Sequence, residues 1–467
     1  MKFKKIFIVC WVFISTISYS QNQQLLYGFA EMPNTLMVNP GAETNFKFHA
    51  GIPALSGLFL KVGSSEATIA DLFLTDNISF NTKFINLTQK LTDRDFIDFN
   101  TKIDVLNGGY RLNEKMYLTF GLYQEIDFIG YFPDDIVDFA YYGNGSNFSK
   151  TIHLSQLKFR GDILGVIHAG LSYKINPKLN IGGRVKIYSG SVHVSSNNNS
   201  GTFSTVNGDD NIYKHYLNNI NFNFKSSSFL DDEDNVSLKV NDVIGNTFLS
   251  ENIGVGVDVG FTYHYTPQIE VSGSILDIGF INYSKNTKNV HMSGSHDFDG
   301  IEVMFDESNT DYWQPLNIDY LAELDKEFKA NIPQKNTEDS FVSWRPIKFN
   351  SSIRYSFGRT RTNKECFDDT FKTYYDNSVG FQLYAITRPL STQVAGTLFF
   401  EKSLTEKFHT KFTYTADAYS VTNVGVGFSG QIGKFHMYGL LDNILKLGDL
   451  SDAKSASLQF GFNLIFD

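Results

Sequence analysis

Hydrophobicity in this chain alternates with a period of two over stretch after stretch, and beyond residue 20 it never runs unbroken for the roughly 18 residues of a membrane helix. The segment Val255–Tyr265 sets the pattern. Val255, Val257, Val259, Phe261, Tyr263 and Tyr265 share one face, and Gly256, Asp258, Gly260, Thr262 and His264 share the other. The same dyad recurs at Met116–Leu122, Leu179–Ile187, Ile347–Phe357, Val379–Ala385, Phe408–Tyr414 and Val424–Phe428, with short turns such as Asn176-Pro177 and Thr266-Pro267 between some neighbours. Such a run of strands joined by tight turns is an antiparallel meander.

A soluble β-sandwich also alternates, so the choice rests on three further features. Many segments reach nine or more residues, the length a tilted strand needs to cross a bilayer. Their polar faces carry Gly, Ser, Asn and single charges such as Arg184 and Lys186, which a wet lumen tolerates. The chain also ends on an alternating strand, with Ala456, Leu458, Phe460, Phe462, Leu464 and Phe466 on one side. The expected fold is therefore all-β, a transmembrane antiparallel β-barrel of about 14 strands (range 12–16), counted from the periodic segments. Ile269–Ile281 changes phase partway, which predicts a β-bulge near Ile275-Leu276. The Asn- and Ser-rich regions Ser195–Val236 and Asn286–Val342 read as long extracellular loops. Short amphipathic helical pieces are expected at Glu66–Leu74, Pro133–Tyr142 and between Pro315 and Pro333, where Tyr320, Leu321, Leu324 and Phe328 recur at helical spacing.

The leader fits this destination. Lys2, Lys4 and Lys5 precede the apolar run Ile6–Ile14, and small residues Ser18 and Ser20 follow, so residues 1–20 read as a secretory signal peptide cleaved before Gln21. Cys10 lies too early in that run for a lipoprotein cleavage cysteine. Cys366 is then the only remaining cysteine, which excludes an intramolecular disulfide. No Pro-, Gly- or Ser-rich linker divides residues 43–467, so they are taken as one barrel. With 43 Phe and 24 Tyr, the composition suits strands with aromatic girdles, and a net charge of −10 without a basic patch excludes nucleic acid as a partner. The expected location is the outer membrane of a Gram-negative bacterium, in contact with lipid and lipopolysaccharide.

Ahead of the first strand, residues 21–42 contain an apolar stretch without period, Tyr27 to Ala42, expected to pack inside the barrel as a plug. Asn39-Pro40-Gly41-Ala42 resembles the start of Bacteroidota barrels of the PorP/SprF group, and PorV- and FadL-type barrels are similar in build. Leu25–Ala42 and Ser272–Phe280, and more weakly Gly439–Ile444, resemble an uncharacterised Bacteroidota family of outer-membrane barrels described as a domain of unknown function. The resemblance covers the whole mature chain in pattern and only these stretches in residues. It implies two roles: a scaffold or accessory barrel for type IX-like secretion or attachment of surface proteins, which is the first expectation, or FadL-like transport of hydrophobic or small solutes. The first expects secretion-system or surface proteins as partners; the second expects an apolar lumen with Leu25–Ala42 as its hatch. No C-terminal type IX cargo domain is seen. Phe460, Phe462 and Phe466 resemble the terminal signal read by the barrel-assembly machinery.

Nothing in the sequence announces chemistry. Gly425-Val-Gly427-Phe-Ser-Gly430 matches a dinucleotide fingerprint as text, but a strand runs through it where the motif needs a turn and a helix. Its glycines, like those of Gly254-Val-Gly256, read as small lumen-facing positions. His291 and His296 lack a third ligand, and His264, His409 and His436 fall on polar strand faces without an evident catalytic partner. Asp231, Asp232 and Asp234 offer carboxylates to Ca²⁺, although they lack the spaced ligands and central glycine of an EF-hand loop, and a solvated acidic loop is the plainer reading. No cofactor and no enzymatic activity are expected.

Overall fold

Fourteen antiparallel strands follow one another around a single closed barrel. They are β1 (Phe48–Gly51 and Leu58–Ser64, one strand in two pieces), β2 (Phe96–Asn113), β3 (Met116–Tyr131), β4 (Phe159–Asn176), β5 (Leu179–Ser196), β6 (Ile253–His264) and β7 (Ile269–Tyr283). The second half comprises β8 (Phe341–Trp344 and Lys348–Arg359), β9 (Tyr375–Ile386), β10 (Gln393–Thr405), β11 (Phe408–Ala416), β12 (Asn423–Ile432), β13 (Phe435–Leu441) and β14 (Ser455–Phe466). The circle closes where β14 pairs with β1, from Phe48↔Phe466 up to Gly63↔Ser455. The computed structural model describes residues 18–19, 23–29, 32–146, 150–208, 213–230, 236, 247–248, 250–298, 326–359, 375–446 and 450–466. The expected strand number and architecture hold, and no helix among the described residues is long and apolar enough to cross a membrane.

Exposure follows the alternation. On β6, Val257 is 43% exposed while the neighbouring Asp258 is 1% exposed, so the apolar face looks outward and the polar face inward, the reverse of a soluble sandwich. The same inversion puts Phe460, Phe462 and Phe466 of β14 on the half-exposed outer side and Gln459 and Asn463 inside. Introducing a charge on the outer face should therefore be costly: Val257→Lys is expected to destabilise the barrel by about 2–4 kcal/mol if it lies near the bilayer midplane, read as urea-induced unfolding in lipid vesicles.

One end of the barrel carries short turns, such as residues 114–115, 177–178, 265–268, 406–407 and 433–434, and the other carries the connections 65–95, 132–158, 197–252 and 284–340. The long connections are more structured than their sequence suggests. Ser200–Asn207, Tyr213–Ser227, Thr287–Phe298 and Gln334–Thr337 are strands, and with Thr151–His153 they extend the sheet beyond the rim. Tyr213–Ser227 joins this extension to the barrel through Phe224↔Ser196 and Ser227↔His193. These segments were expected to be irregular because they lie in regions that break the pattern, such as Ser195–Asp210 with its Asn, Ser, Gly and Asp, although Ile220, Phe222 and Phe224 alternate with Asn221 and Asn223. Helices Ile69–Phe73 and Asp134–Ser146 form where amphipathic pieces are expected, and Phe80–Thr88 adds a third. Of the helix between Pro315 and Pro333, residues 326–331 are helical and the remainder is outside the described residues.

Three irregularities of the wall position what lies inside. β7 carries a bulge where its phase changes: Val257 pairs with Ile278 and Val259 with Ile275, leaving Leu276 and Asp277 opposite Asp258. Both bulge residues are buried, and Asp277 has a positive φ of 61°, so the extra residue turns a carboxylate into the lumen. β1 is interrupted at residues 52–57, where Ile52 and Leu55 still bond to Phe462 of β14 and Ala54 to Val105 of β2. β8 is interrupted at residues 345–347, which turns Arg345 fully inward.

Candidate functional site

The N-terminal segment runs through the barrel lumen. Its first part turns at Gln23–Gly28, and Leu25, Leu26, Tyr27, Phe29, Met32 and Val38 pack against Tyr438 and Leu440 of β13. Gly425 and Gly427 of β12 make room for it: a Cβ added at Gly425 would lie 3.0 Å from Leu25, and one at Gly427 would lie 3.3 Å from Phe29. The text match to a nucleotide motif is thus a groove in the wall. After a short 3-10 turn at Pro33–Met37, the chain reaches Asn39-Pro40-Gly41. There Asn39 Oδ1 accepts from Gly41 N at 2.9 Å and Asn39 Nδ2 donates to Phe261 O at 3.2 Å. A Cβ at Gly182 would sit 2.0 Å from Pro40 O, and one at Gly260 would sit 2.1 Å from Asn39 Oδ1. The wall and the turn touch backbone to backbone, which only glycine allows.

The wall holds this segment chiefly through its main-chain carbonyls. Tyr27 O accepts from Lys411 at 2.8 Å and from Gln382 at 2.7 Å, and Gly28 O accepts from Arg354. Leu36 O and Met37 O both accept from Arg184 Nη2 at 3.0 Å, and Val38 O accepts from Ser274 at 2.6 Å. Gly41 O and Ala42 O accept from Asn180, and Phe46 O accepts from Arg111. Side chains add Glu43 to His264 at 2.8 Å and Asn34 to Ser56 O, within the break of β1, at 3.0 Å. A bond of this kind from a neutral donor contributes roughly 0.5–1.5 kcal/mol net, and one from Lys411, Arg354, Arg184 or Arg111 about 1.5–3 kcal/mol. Gln24 Nε2 and Gln382 Oε1 are buried there without a hydrogen-bond partner, so the interface is not fully satisfied.

A layer of ion pairs crosses the lumen on the long-loop side of the segment. Arg184 links the two, because the guanidinium that holds Leu36 O and Met37 O also donates from Nε to Asp258 at 2.8 Å. Lys186 bridges Asp258 at 2.9 Å and Asp277, the bulge residue; Asp277 in turn meets Lys348 at 2.9 Å and accepts from Tyr188. Lys348 and Arg345 of β8 reach Glu125 of β3 at 3.1 and 3.0 Å, and Arg345 lies 3.7 Å from Asp162 of β4. Higher still, Arg388 on the β9–β10 connection forms a bidentate pair with Asp127 of β3, at 2.6 and 3.0 Å. Burial pulls the pKa of this arginine down, and the Asp127 carboxylate more than offsets that, so it stays protonated. Tyr419, on the β11–β12 connection, donates to Asp98 of β2 at 2.7 Å and accepts from Lys61 of β1 at 2.8 Å. Arg184–Asp258 and Lys348–Asp277 tie neighbouring strands, whereas the pairs of Arg345 and Lys348 with Glu125, of Arg345 with Asp162 and of Arg388 with Asp127 join strands that are not neighbours and bridge the lumen. Aromatic and aliphatic residues Tyr123, Leu164, Val166, Tyr188, Ile281, Tyr283 and Phe341 pack among them, with Met37 of the N-terminal segment against the cluster.

The lumen is therefore packed and largely polar, which corrects the apolar lining expected of a transporter for hydrophobic solutes. Alternation exposed the inward charges but not their partners. The signal was a lone carboxylate or cation among apolar neighbours, as at Asp162 and Asp258; pairing across the lumen joins residues distant in sequence. Asp231, Asp232 and Asp234 lie outside the described residues. His291 bonds to Asn223, and no group of three His, Cys, Asp or Glu side chains among the described residues is arranged to hold a metal. His436 lies 2.9 Å from Ser429 inside the barrel, but its Nδ1 has no hydrogen-bond partner, so no acid orients the imidazole as acyl-transfer chemistry would require.

Comparison with known families and structures comes down to the barrel. The chain belongs to a family of unknown function (DUF5723), whose model matches residues 40–442. No curated protein sequence matches it. Among solved structures it is similar to a Pseudomonas aeruginosa FadL homologue (10% identity, 97% of this chain and 99% of that one, TM-score 0.43). It is also similar to the Ralstonia pickettii toluene transporter TbuX (11% identity, 93% and 94%, TM-score 0.40) and to the translocator domain of the autotransporter NalP from Neisseria meningitidis (7% identity, 91% and 90%, TM-score 0.29). At such identities the likeness concerns the outer-membrane barrel fold alone.

Proposed function

We propose that this member of the family is a gated, non-enzymatic outer-membrane channel for small, partly apolar solutes, in which the N-terminal segment is the hatch. One observation carries the reading: the segment occupies the lumen yet is held there mostly by wall side chains on its carbonyls, contacts that water in the lumen can replace when it leaves. Its apolar contacts gather in two clusters, Leu25–Val38 against β13 and Leu36, Ala42 and Phe46 against Tyr117 and Ile465, and between them the Asn39–Gly41 turn is held by polar groups and glycine. The apolar clusters on both sides of Met37 support solutes with an apolar part, and the charges around them support small size. Export through the leader and recognition of Phe460, Phe462 and Phe466 by the assembly machinery complete the proposal.

The test is uptake of a labelled small aromatic solute into proteoliposomes by the intact protein and by a form lacking residues 23–42. Uptake above protein-free vesicles, faster without the segment, is the expected result. If neither form admits solute, the channel reading fails. Stoichiometric co-purification of surface or secretion proteins would then favour the scaffold role, for which the sheet extension beyond the rim offers a docking surface.

A further inference from the structure

The connection between β1 and β2 carries a helix that is inside out. Phe80–Thr88 is capped by Ser79, and its buried residues are Lys83, Leu87 and Thr88. Lys83, only 7% exposed, donates to Leu74 O and pairs with Asp76 at 2.8 Å, whereas Phe80 is 52% exposed. A helix beside water buries its aromatic face and exposes its lysine. Leu87 follows that rule here, with Phe84 and Ile85 half-buried, and Phe80 and Lys83 reverse it. The preceding helix Ile69–Phe73, fixed by a capping box between Thr68 and Asp71, ends on Phe73, which is 68% exposed, and Leu74 and Ile78 are exposed after it.

The exposed rings are not scattered. Phe73 meets Phe80 at 6.0 Å, Phe80 meets Phe84 at 6.4 Å, Phe84 meets Tyr141 of the next long connection at 5.7 Å, and Tyr141 meets Tyr142 at 4.9 Å. Five rings from two connections thus form one ridge, a contiguous apolar surface of the kind that marks an interface. It continues the outer wall. Val62 of β1 and Ile97 of β2 are exposed on that wall, Ile97 pairs with Ser64 at the last rung, and the first helix starts five residues later.

We propose that this helical pair rests in the outer leaflet, its aromatic ridge in lipid at the level of the headgroups and upper acyl chains, so that the β1–β2 connection is a membrane foot rather than a water-borne loop. Phe and Tyr at the boundary of a bilayer, on a helix whose charges turn the other way, match the chemistry of interfacial helices. The foot also holds the rim next to the broken strand β1 at a fixed height.

The proposal rests on the membrane-spanning barrel, and the experiment separates the two. Single nitroxide labels are placed at residues 73 and 80, at Val257 on the outer wall, and at Glu251 on a long connection, in protein whose Cys366 is replaced by serine, reconstituted into vesicles. Collisions with molecular oxygen, which concentrates in lipid, are compared with those of a water-soluble nickel complex. The expected oxygen-to-nickel ratio at 73 and 80 is several-fold above that at 251 and approaches that at 257. A ratio at 73 and 80 equal to that at 251, with 257 remaining lipid-like, overturns the foot and leaves the barrel intact. A water-like ratio at 257 overturns both. These sites are exposed, so labelling leaves the packing intact, and the heat-sensitive gel mobility of each labelled protein verifies folding.

Discussion

Asp277→Ala should markedly lower the temperature at which the purified barrel loses its compact, faster-migrating form on unheated gels. The carboxylate is the common partner of Lys186 and Lys348 and accepts from Tyr188. Without it these two ammonium groups and the Arg345 guanidinium face one another in a packed lumen, with only Asp258, Glu125 and Asp162 to offset them. Removing one partner from such a buried network costs about 3–5 kcal/mol. Asp277→Asn keeps the shape and part of the hydrogen bonding and should fall between. Unchanged mobility after heating would mean that water already screens these charges and that the layer contributes little to stability.

The second large effect concerns passage rather than stability. Two closures lie in series: the N-terminal segment, latched by Arg184, and the bridge from Arg388 to Asp127. Hydrogen bonds from a charged group contribute about 1.5–3 kcal/mol each to the closed state, so either arginine changed to alanine, which removes two of them, should shift its own closure by at least roughly a hundredfold. Conductance through a series path is set by the element that remains shut. Arg184→Ala and Arg388→Ala are therefore expected to conduct weakly alone in planar bilayers and far more than additively together. A double variant as quiet as the intact protein would remove the lumen from consideration as a path.

Much of the barrel was legible because a membrane wall imposes a simple rule on every strand: apolar outward, polar or small inward. That rule sufficed for the strand number, for the outward aromatic column of β14 and for the bulge at Ile275-Leu276, where phase alone betrays the extra residue. The extension beyond the rim escaped it because strands such as Ser200–Asn207 lie in a stretch of Asn, Ser, Gly and Asp that breaks the pattern. The breaks in β1 and β8 went unread, although Pro53 and Pro346 mark them as places where a strand is interrupted. In the lumen, Arg184 and Lys186 were recognisable as inward charges, yet their partners Asp258 and Asp277 come from other strands, one of them displaced by the bulge. The glycines at 182, 260, 425 and 427 carried positional information that only the docked segment reveals.

Closure of the ring by β14 on β1 also has a bearing on how the molecule is made. Phe48 pairs with Phe466, so the seam joins the first and the fourteenth strand of the barrel and cannot form until β14 is in place. Contacts of such separation form slowly, and until they do β1 and β14 present unpaired edges that invite association with other chains. The segment that fills the lumen lies upstream of β1 and must be inside before the seam shuts or be drawn in as it shuts. Pairing order thus makes β14 the closing step, and a chain that lacks it keeps the edges of β1 and β13 open.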